Sequence, residues 1–153
     1  GKPSIGFLRP DPRITRLAPY GYVLKYFSDQ TKDIPRAAFV AALQLEGIPC
    51  DGLFYEPVYK SSLFPVNPAD FPALSWGRDK PLDLRNMYSC PESEKAAYQE
   101  AVWFPHQLFL GGSQDVDAIA DAIEKVLANI EDLRGLDHAA IRNQRLSRAD
   151  RES

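Results

Sequence analysis

The chain has 153 residues, of which 25% are charged and 44% are hydrophobic, and its net charge is −3. This composition is typical of a globular protein with one domain, and the acidic balance argues against a nucleic-acid-binding protein. No apolar run reaches the roughly 18 residues needed to span a membrane, and the first residues do not resemble a signal peptide. We therefore expect a cytoplasmic protein that contacts neither nucleic acid nor membrane.

Cysteine and histidine are too sparse to predict a disulfide framework or a metal centre. The two cysteines, Cys50 and Cys90, lie far apart in sequence, and so do the two histidines, His106 and His138. Zinc sites and disulfide-rich folds need more of these residues at closer spacing. We expect two reduced thiols and no bound metal.

The first quarter of the chain is predicted to be a linker followed by a strand. Prolines recur through residues 1–19, which favours an extended lead-in that resembles a linker from a preceding domain. Residues 20–28 are aromatic and β-branched with few breakers, which predicts a strand. Tyr22, Leu24 and Tyr26 would share one face of that strand.

A helix and a long loop follow. Residues 35–46 carry apolar residues near the helical period, with Pro35 suited to the first helical position and Gly47 to the position after the helix. Residues 48–50 resemble a short strand. Residues 51–88 are rich in both proline and aromatic residues, which predicts an ordered loop that packs on something else.

The last third is predicted to be mainly helical. Residues 91–101 have helix-start signals, residues 102–105 resemble a short strand, and residues 113–133 form a long amphipathic helix with Ser113 as its N-cap. Residues 135–153 form a tail with regularly spaced arginines that could continue as helix. The domain would then span residues 20–134, as an α+β fold with a small mixed or antiparallel sheet and helices on one face.

Few residues of this chain point to chemistry. Glycine-rich phosphate loops and serine-nucleophile elbows are absent. His106 ends a hydrophobic strand and could make a polar contact with a substrate, although no carboxylate partner is indicated nearby and a half-buried histidine bonded to backbone also explains it. Tyr55, Glu56 and Tyr59 offer two phenols and a carboxylate that suit polyol binding, whereas aromatic packing in a loop would also account for them.

Several short segments occur in an order that resembles one enzyme family. The segments are Tyr20-Gly21-Tyr22-Val23-Leu24-Lys25-Tyr26, Pro35-Arg36-x-x-Phe39, Glu46-Gly47-Ile48-Pro49, Tyr55-Glu56-Pro57-Val58-Tyr59, Cys90-Pro91 and Trp103-Phe104-Pro105-His106. Together they resemble the C-terminal region of DegT/StrS-type aminotransferases, most of all the aminohydroxybenzoate-synthase-like branch. The resemblance covers about residues 10–130.

This resemblance implies a small domain of the fold-type-I, pyridoxal phosphate (PLP)-dependent transferases that closes over a keto-sugar or cyclitol. It implies a homodimeric parent enzyme whose large domain, on the same polypeptide, supplies the Schiff-base lysine and the phosphate site. No lysine here has the serine-rich context that the family's lysine has. We therefore expect no catalytic residue in this chain and no PLP bound to it, with Tyr59, Tyr55 and Glu56 facing the substrate.

Two alternatives remain open from the sequence. The chain could be a stand-alone interaction or regulatory module that reuses the fold and binds a protein through residues 51–88 and the arginine-rich tail. It could also be a small enzyme with a site around His106, Glu56 and Tyr59, an interpretation with little support in the residues.

Overall fold

A three-stranded antiparallel sheet with helices on one face forms the centre of the protein. The computed structural model describes residues 3–9, 11–17, 19–53, 55–64, 67, 69–73, 77, 80 and 82–136. Its strands are β1 (Ile5–Phe7), β2 (Gly21–Tyr26) and β3 (Ala101–Pro105), hydrogen-bonded in that order, and its helices are α1 (Arg36–Leu45), α2 (Leu84–Met87), α3 (Pro91–Lys95) and α4 (Ser113–Ala128). The predicted α+β class is confirmed.

The core lies between the sheet and two of these helices. Alternation along β2 and β3 turns Leu24, Tyr26, Val102 and Phe104 to the same face, where all four are buried. Side chains of α1 and α4 cover that face, and the Phe39 ring stacks on Tyr26 with ring centroids 4.8 Å apart. The strand predicted over 20–28 and the helix predicted over 35–46 are therefore confirmed, each slightly shorter than expected.

The end of α1 explains why the strand predicted at residues 48–50 is wrong. Gly47 has a φ of +89° and donates to Gln44 O, while Ile48 N–H donates to Leu43 O at 3.0 Å. This is a Schellman cap, which uses the backbone donor of Ile48 for the helix end. Pro49 has no donor, so ladder pairing begins only at Asp51.

The third strand comes instead from the predicted lead-in. Ile5–Phe7 pairs antiparallel with β2, so that Ile5 lies opposite Tyr26 and Phe7 opposite Leu24. An extended conformation is confirmed for these three residues, and they belong to the sheet. The linker role of residues 1–19 stays a prediction.

The helix predicted over 91–101 ends early. α3 stops at Lys95, and one π-helical turn over Ala96–Glu100 leads directly into β3. Arg36 stabilises this turn, because its Nη1 donates to Ala97 O at 2.8 Å and to Ala101 O at 3.0 Å. After this turn, β3 begins at Ala101, one residue earlier than predicted.

The long helix is confirmed, with shifted ends. Gly112, not Ser113, is its N-cap, and a 3-10 turn over Ile130–Leu133 follows α4 in place of a continuous helix. Pro35 likewise caps α1 and is not its first residue. In the loop predicted over 51–88, short helical turns form at Val58–Lys60 and at α2. The predicted tail from residue 137 onward lies outside the described residues.

Among the described residues, no helix combines the length and the apolarity needed to cross a membrane. In the same part of the chain, no cluster of three or more histidine, cysteine or carboxylate side chains is placed to hold a metal ion. Cys50 is buried and Cys90 is exposed, and neither forms a disulfide.

Candidate functional site

A groove lies beside the outer edge of β3, on the side where the chain returns after α1. Its volume is about 350 Å³. An isolated antiparallel bridge shapes it, in which Asp51 N–H donates to Trp103 O at 2.9 Å and Trp103 N–H donates to Asp51 O at 2.7 Å. Residues from three separate segments line the groove, among them Tyr20, Asp51, Trp103, His106 and Gln107.

Trp103 provides the aromatic surface of this groove. Its neighbours in β3, Val102 and Phe104, point into the core, so the half-buried indole faces away from α1 and α4. Tyr55 packs against it edge-on, with ring centroids 5.8 Å apart and planes at 84°. Desolvation, and then the neighbouring Tyr20 phenol, raise the pKa of Tyr55. The Tyr55 phenol is therefore protonated at physiological pH.

His106 lines the same groove, as the sequence suggested for a polar contact. It follows β3 directly, and its Nδ1 lies 3.2 Å from Tyr20 O. A carbonyl can only accept, so this contact places the proton on Nδ1 and leaves Nε2 as an acceptor when the ring is neutral. The backbone contact that the alternative interpretation required is thus present, and the ring still borders the groove.

Tyr59 lies in a different environment from Tyr55. It is buried, its hydroxyl donates to the Glu94 carboxylate, and the same oxygen accepts the Cys90 N–H at 3.1 Å. Burial, and then the hydrogen bond to Glu94, raise the pKa of Tyr59. Lys60 lies 3.5 Å from Glu94 and 5.2 Å from the Tyr59 ring centroid. These contacts hold the turn at Val58–Lys60 against α3.

Glu56 is exposed, between Tyr55 and the turn that holds Tyr59. Among the described residues, Glu56, Tyr59 and His106 make no hydrogen bond with one another. The structure thus places His106 at the groove, packs Tyr55 against the Trp103 ring and ties Tyr59 to Glu94. The substrate-facing role of Tyr59, Tyr55 and Glu56 stays a prediction.

Asp51, Trp103 and Glu94 are not among the site residues that the sequence predicts. Alternation along residues 102–105 could have predicted that Trp103 faces away from the core, because Val102 and Phe104 are the better core candidates of that strand. The bridge that brings Asp51 to Trp103 joins residues too far apart in sequence for any local pattern to reveal it.

Comparison with known proteins gives three relatives with one name. They are named as L-glutamine:3-amino-2,3-dideoxy-scyllo-inosose aminotransferases, and come from Streptoalloteichus tenebrarius, Streptomyces kanamyceticus and Micromonospora echinospora. The chain is 36% identical to the first over 141 residues, 31% to the second over 138 and 29% to the third over 138. These alignments cover 87–88% of the chain. No protein-family model matches it.

The chain is a homologue of these cyclitol aminotransferases. It spans about a third of the length of the curated relatives it matches (33% of each). The resemblance to the C-terminal part of an aminotransferase is therefore confirmed.

The lysines in the described part of the chain do not fit the PLP that the sequence resemblance implies. A Schiff-base lysine must be held in a pocket where its amine is neutral. Five of the described lysines instead form ion pairs with glutamates; they are Lys25, Lys32, Lys60, Lys95 and Lys125. A sixth, Lys80, is exposed.

Proposed function

We propose that this chain is the C-terminal small domain of a cytoplasmic, PLP-dependent aminotransferase that aminates a cyclitol or keto-sugar. The observation that carries the proposal is the 36% identity to a named aminotransferase across 88% of the chain. The relatives' shared name specifies L-glutamine as amino donor and an amino-substituted inosose as acceptor, and we extend both to the parent of this chain.

In this proposal the chain binds and encloses the substrate but does not carry out the chemistry. Small domains commonly complete a cleft at a domain interface and exclude water when they close. The Tyr55 phenol, the Glu56 carboxylate and the His106 Nε2 supply donors and acceptors that suit ring hydroxyls. Tyr59, held by Glu94, fixes the loop that carries Tyr55 and Glu56.

The partner of this segment is the large PLP-binding domain of the same polypeptide, in an enzyme that we propose is a homodimer. A row of three aromatic rings that ends in the exposed Phe7 supports such a covering partner. The ring centroids of Phe7 and Tyr22 lie 6.4 Å apart, and those of Tyr22 and the partly buried Phe109 lie 5.4 Å apart. Phe7 is 59% exposed, and Leu110, next to Phe109, is 75% exposed. A contiguous exposed apolar patch is typical of a surface that another domain covers.

The test compares the full-length protein with the 153-residue chain in a glutamine-dependent transamination assay. The acceptor is 3-amino-2,3-dideoxy-scyllo-inosose. We expect the full-length protein to form the diamine, and the chain alone to be inactive and to leave the absorbance of added PLP unchanged. An inactive full-length protein would overturn the proposed reaction. Activity in the chain alone would overturn the assignment of catalysis to the large domain.

A further inference from the structure

We propose that Asp51 recognises the ammonium group of an aminocyclitol bound in the groove beside Trp103. This inference rests on the proposed function and deepens it, because it assigns one part of the substrate to one side chain. It makes Asp51 a specificity-determining residue that separates an aminated cyclitol from a neutral one.

The backbone bridge fixes where the Asp51 carboxylate lies. Both hydrogen bonds of the bridge are short, at 2.7 and 2.9 Å, and join Asp51 to the middle of β3. Side chains of directly paired residues lie on the same face of a sheet. Asp51 therefore projects beside the Trp103 indole, on the face opposite α1 and α4, where both residues line the groove.

The carboxylate keeps acceptor capacity for a ligand. Its Oδ1 accepts the Leu53 N–H at 2.9 Å, which fixes its orientation but uses one of about four acceptor positions of an ionised carboxylate. Arg36 interacts electrostatically with Asp51 but directs its hydrogen bonds to Ala97 O and Ala101 O. The ionised Asp51 side chain can therefore accept further hydrogen bonds from a charged donor in the groove.

The composition of the groove suits an aminated ring more than a neutral polyol. Asp51 is the one acidic side chain among the described residues that line it. Trp103, which Tyr55 packs against edge-on, offers an apolar surface for the ring carbons, and His106 offers an acceptor for a hydroxyl. A half-buried carboxylate attracts an ammonium more strongly than one in bulk water, because the local dielectric constant is lower.

The test measures ligand binding to the full-length protein by isothermal titration calorimetry. The probes are 1,3-diamino-1,2,3-trideoxy-scyllo-inositol, which is the diamine formed when the ketone of the relatives' substrate becomes an amine, and neutral scyllo-inositol. We expect Asp51→Asn to weaken binding of the diamine about tenfold or more, the usual effect of losing a charge-assisted hydrogen bond. Binding of scyllo-inositol should not change.

The control variant is Asp121→Asn, which removes the same charge from an exposed position of α4 outside the groove. It should leave both affinities unchanged. The side-chain amide introduced by Asp51→Asn keeps an oxygen acceptor for the Leu53 N–H, so this variant should fold, which a thermal melt verifies. Asp51→Glu keeps the charge and should retain a preference for the diamine.

Three results would overturn the assignment of Asp51. The first is that Asp51→Asn binds the diamine as tightly as the wild type does. The second is that Asp51→Asn loses the same affinity for the diamine and for scyllo-inositol. The third is that Asp51→Glu no longer prefers the diamine to scyllo-inositol. If the wild-type protein neither binds the diamine nor carries out transamination, the proposed function fails as well. Full transamination by Asp51→Asn with unchanged diamine affinity would remove only the role of Asp51.

Discussion

Arg36 links the start of α1 to the turn before β3, and a single side chain therefore stabilises two elements. Its hydrogen bonds to the half-buried carbonyls of Ala97 and Ala101 are charge-assisted. We expect Arg36→Met to lower the free energy of unfolding by about 2 kcal/mol, because both carbonyls lose their donor. Urea denaturation measures this free energy. Arg13→Met, at a highly exposed ion pair, should cost much less, and equal losses for the two variants would contradict the prediction.

Glu100 makes the stability of the protein depend on pH. Burial raises its pKa, but the hydrogen bonds and charges of Lys25 and Lys95, at 2.7 and 3.1 Å, outweigh that effect and hold the pKa below its usual value. A lowered carboxyl pKa stabilises the fold at pH values above the unfolded-state pKa of about 4.3. This stabilisation is lost as the pH falls through the folded-state pKa.

We therefore expect Glu100→Gln to lower the free energy of unfolding by about 1 kcal/mol near pH 7, a modest value because both lysines are about half exposed. The difference from the wild type should shrink as the pH falls below about 4, where Glu100 itself becomes protonated. Urea denaturation at both pH values provides the measurement, and a difference independent of pH would contradict the role of the ion pairs.

At the scale of elements, the start of α4 depends on one carboxylate. Asp115 Oδ2 accepts the Gly112 N–H at 2.9 Å and lies near the positive end of the helix dipole. A Cβ at position 111 would clash with this carboxylate, which explains the glycine there. We expect Asp115→Ala to lower the free energy of unfolding by about 1 kcal/mol. Asp117→Ala removes the same charge without the cap bond; an equal loss, measured by urea denaturation, would contradict the cap.

Elements with local causes could be predicted, and elements with distant causes could not. The apolar periodicity of α1 and α4 lies within the sequence of each helix, so both helices could be predicted. The prediction of a strand at residues 48–50 was wrong because the Ile48 N–H donates to the C-terminal cap of α1. β1 was missed because its three residues become a strand only by pairing with β2. The early end of α3 depends on Arg36, which comes from another helix.

The same distinction applies to the candidate site. His106 and Tyr55 could be proposed from residue type and from their place next to a strand or in an aromatic loop. The groove that His106 lines could not be predicted, because it depends on the bridge between Asp51 and Trp103 and on the contact of His106 with the Tyr20 carbonyl. The phenol of Tyr59 suggests a substrate contact, and no local pattern indicates its hydrogen bond to Glu94.

At the scale of the whole molecule, a continuous core joins the sheet, α1 and α4. We expect the 153-residue chain to unfold in one cooperative transition, monitored by circular dichroism, because these elements share the same buried side chains. Leu24→Ala, in the middle of that core, should lower the free energy of unfolding by about 2–5 kcal/mol. A broad melt without a transition would show that the chain does not fold on its own.

The arrangement of the described strands also limits how copies of this protein can associate. β1, at one side of the sheet, is three residues long, and Asp51 pairs with β3 at the other side. Short or occupied edges give a foreign strand little backbone to pair with, and proteins use them to avoid polymerising through their sheets. Concentrated solutions of the chain should therefore resist fibril formation by strand addition, even though aromatic side chains remain on its surface.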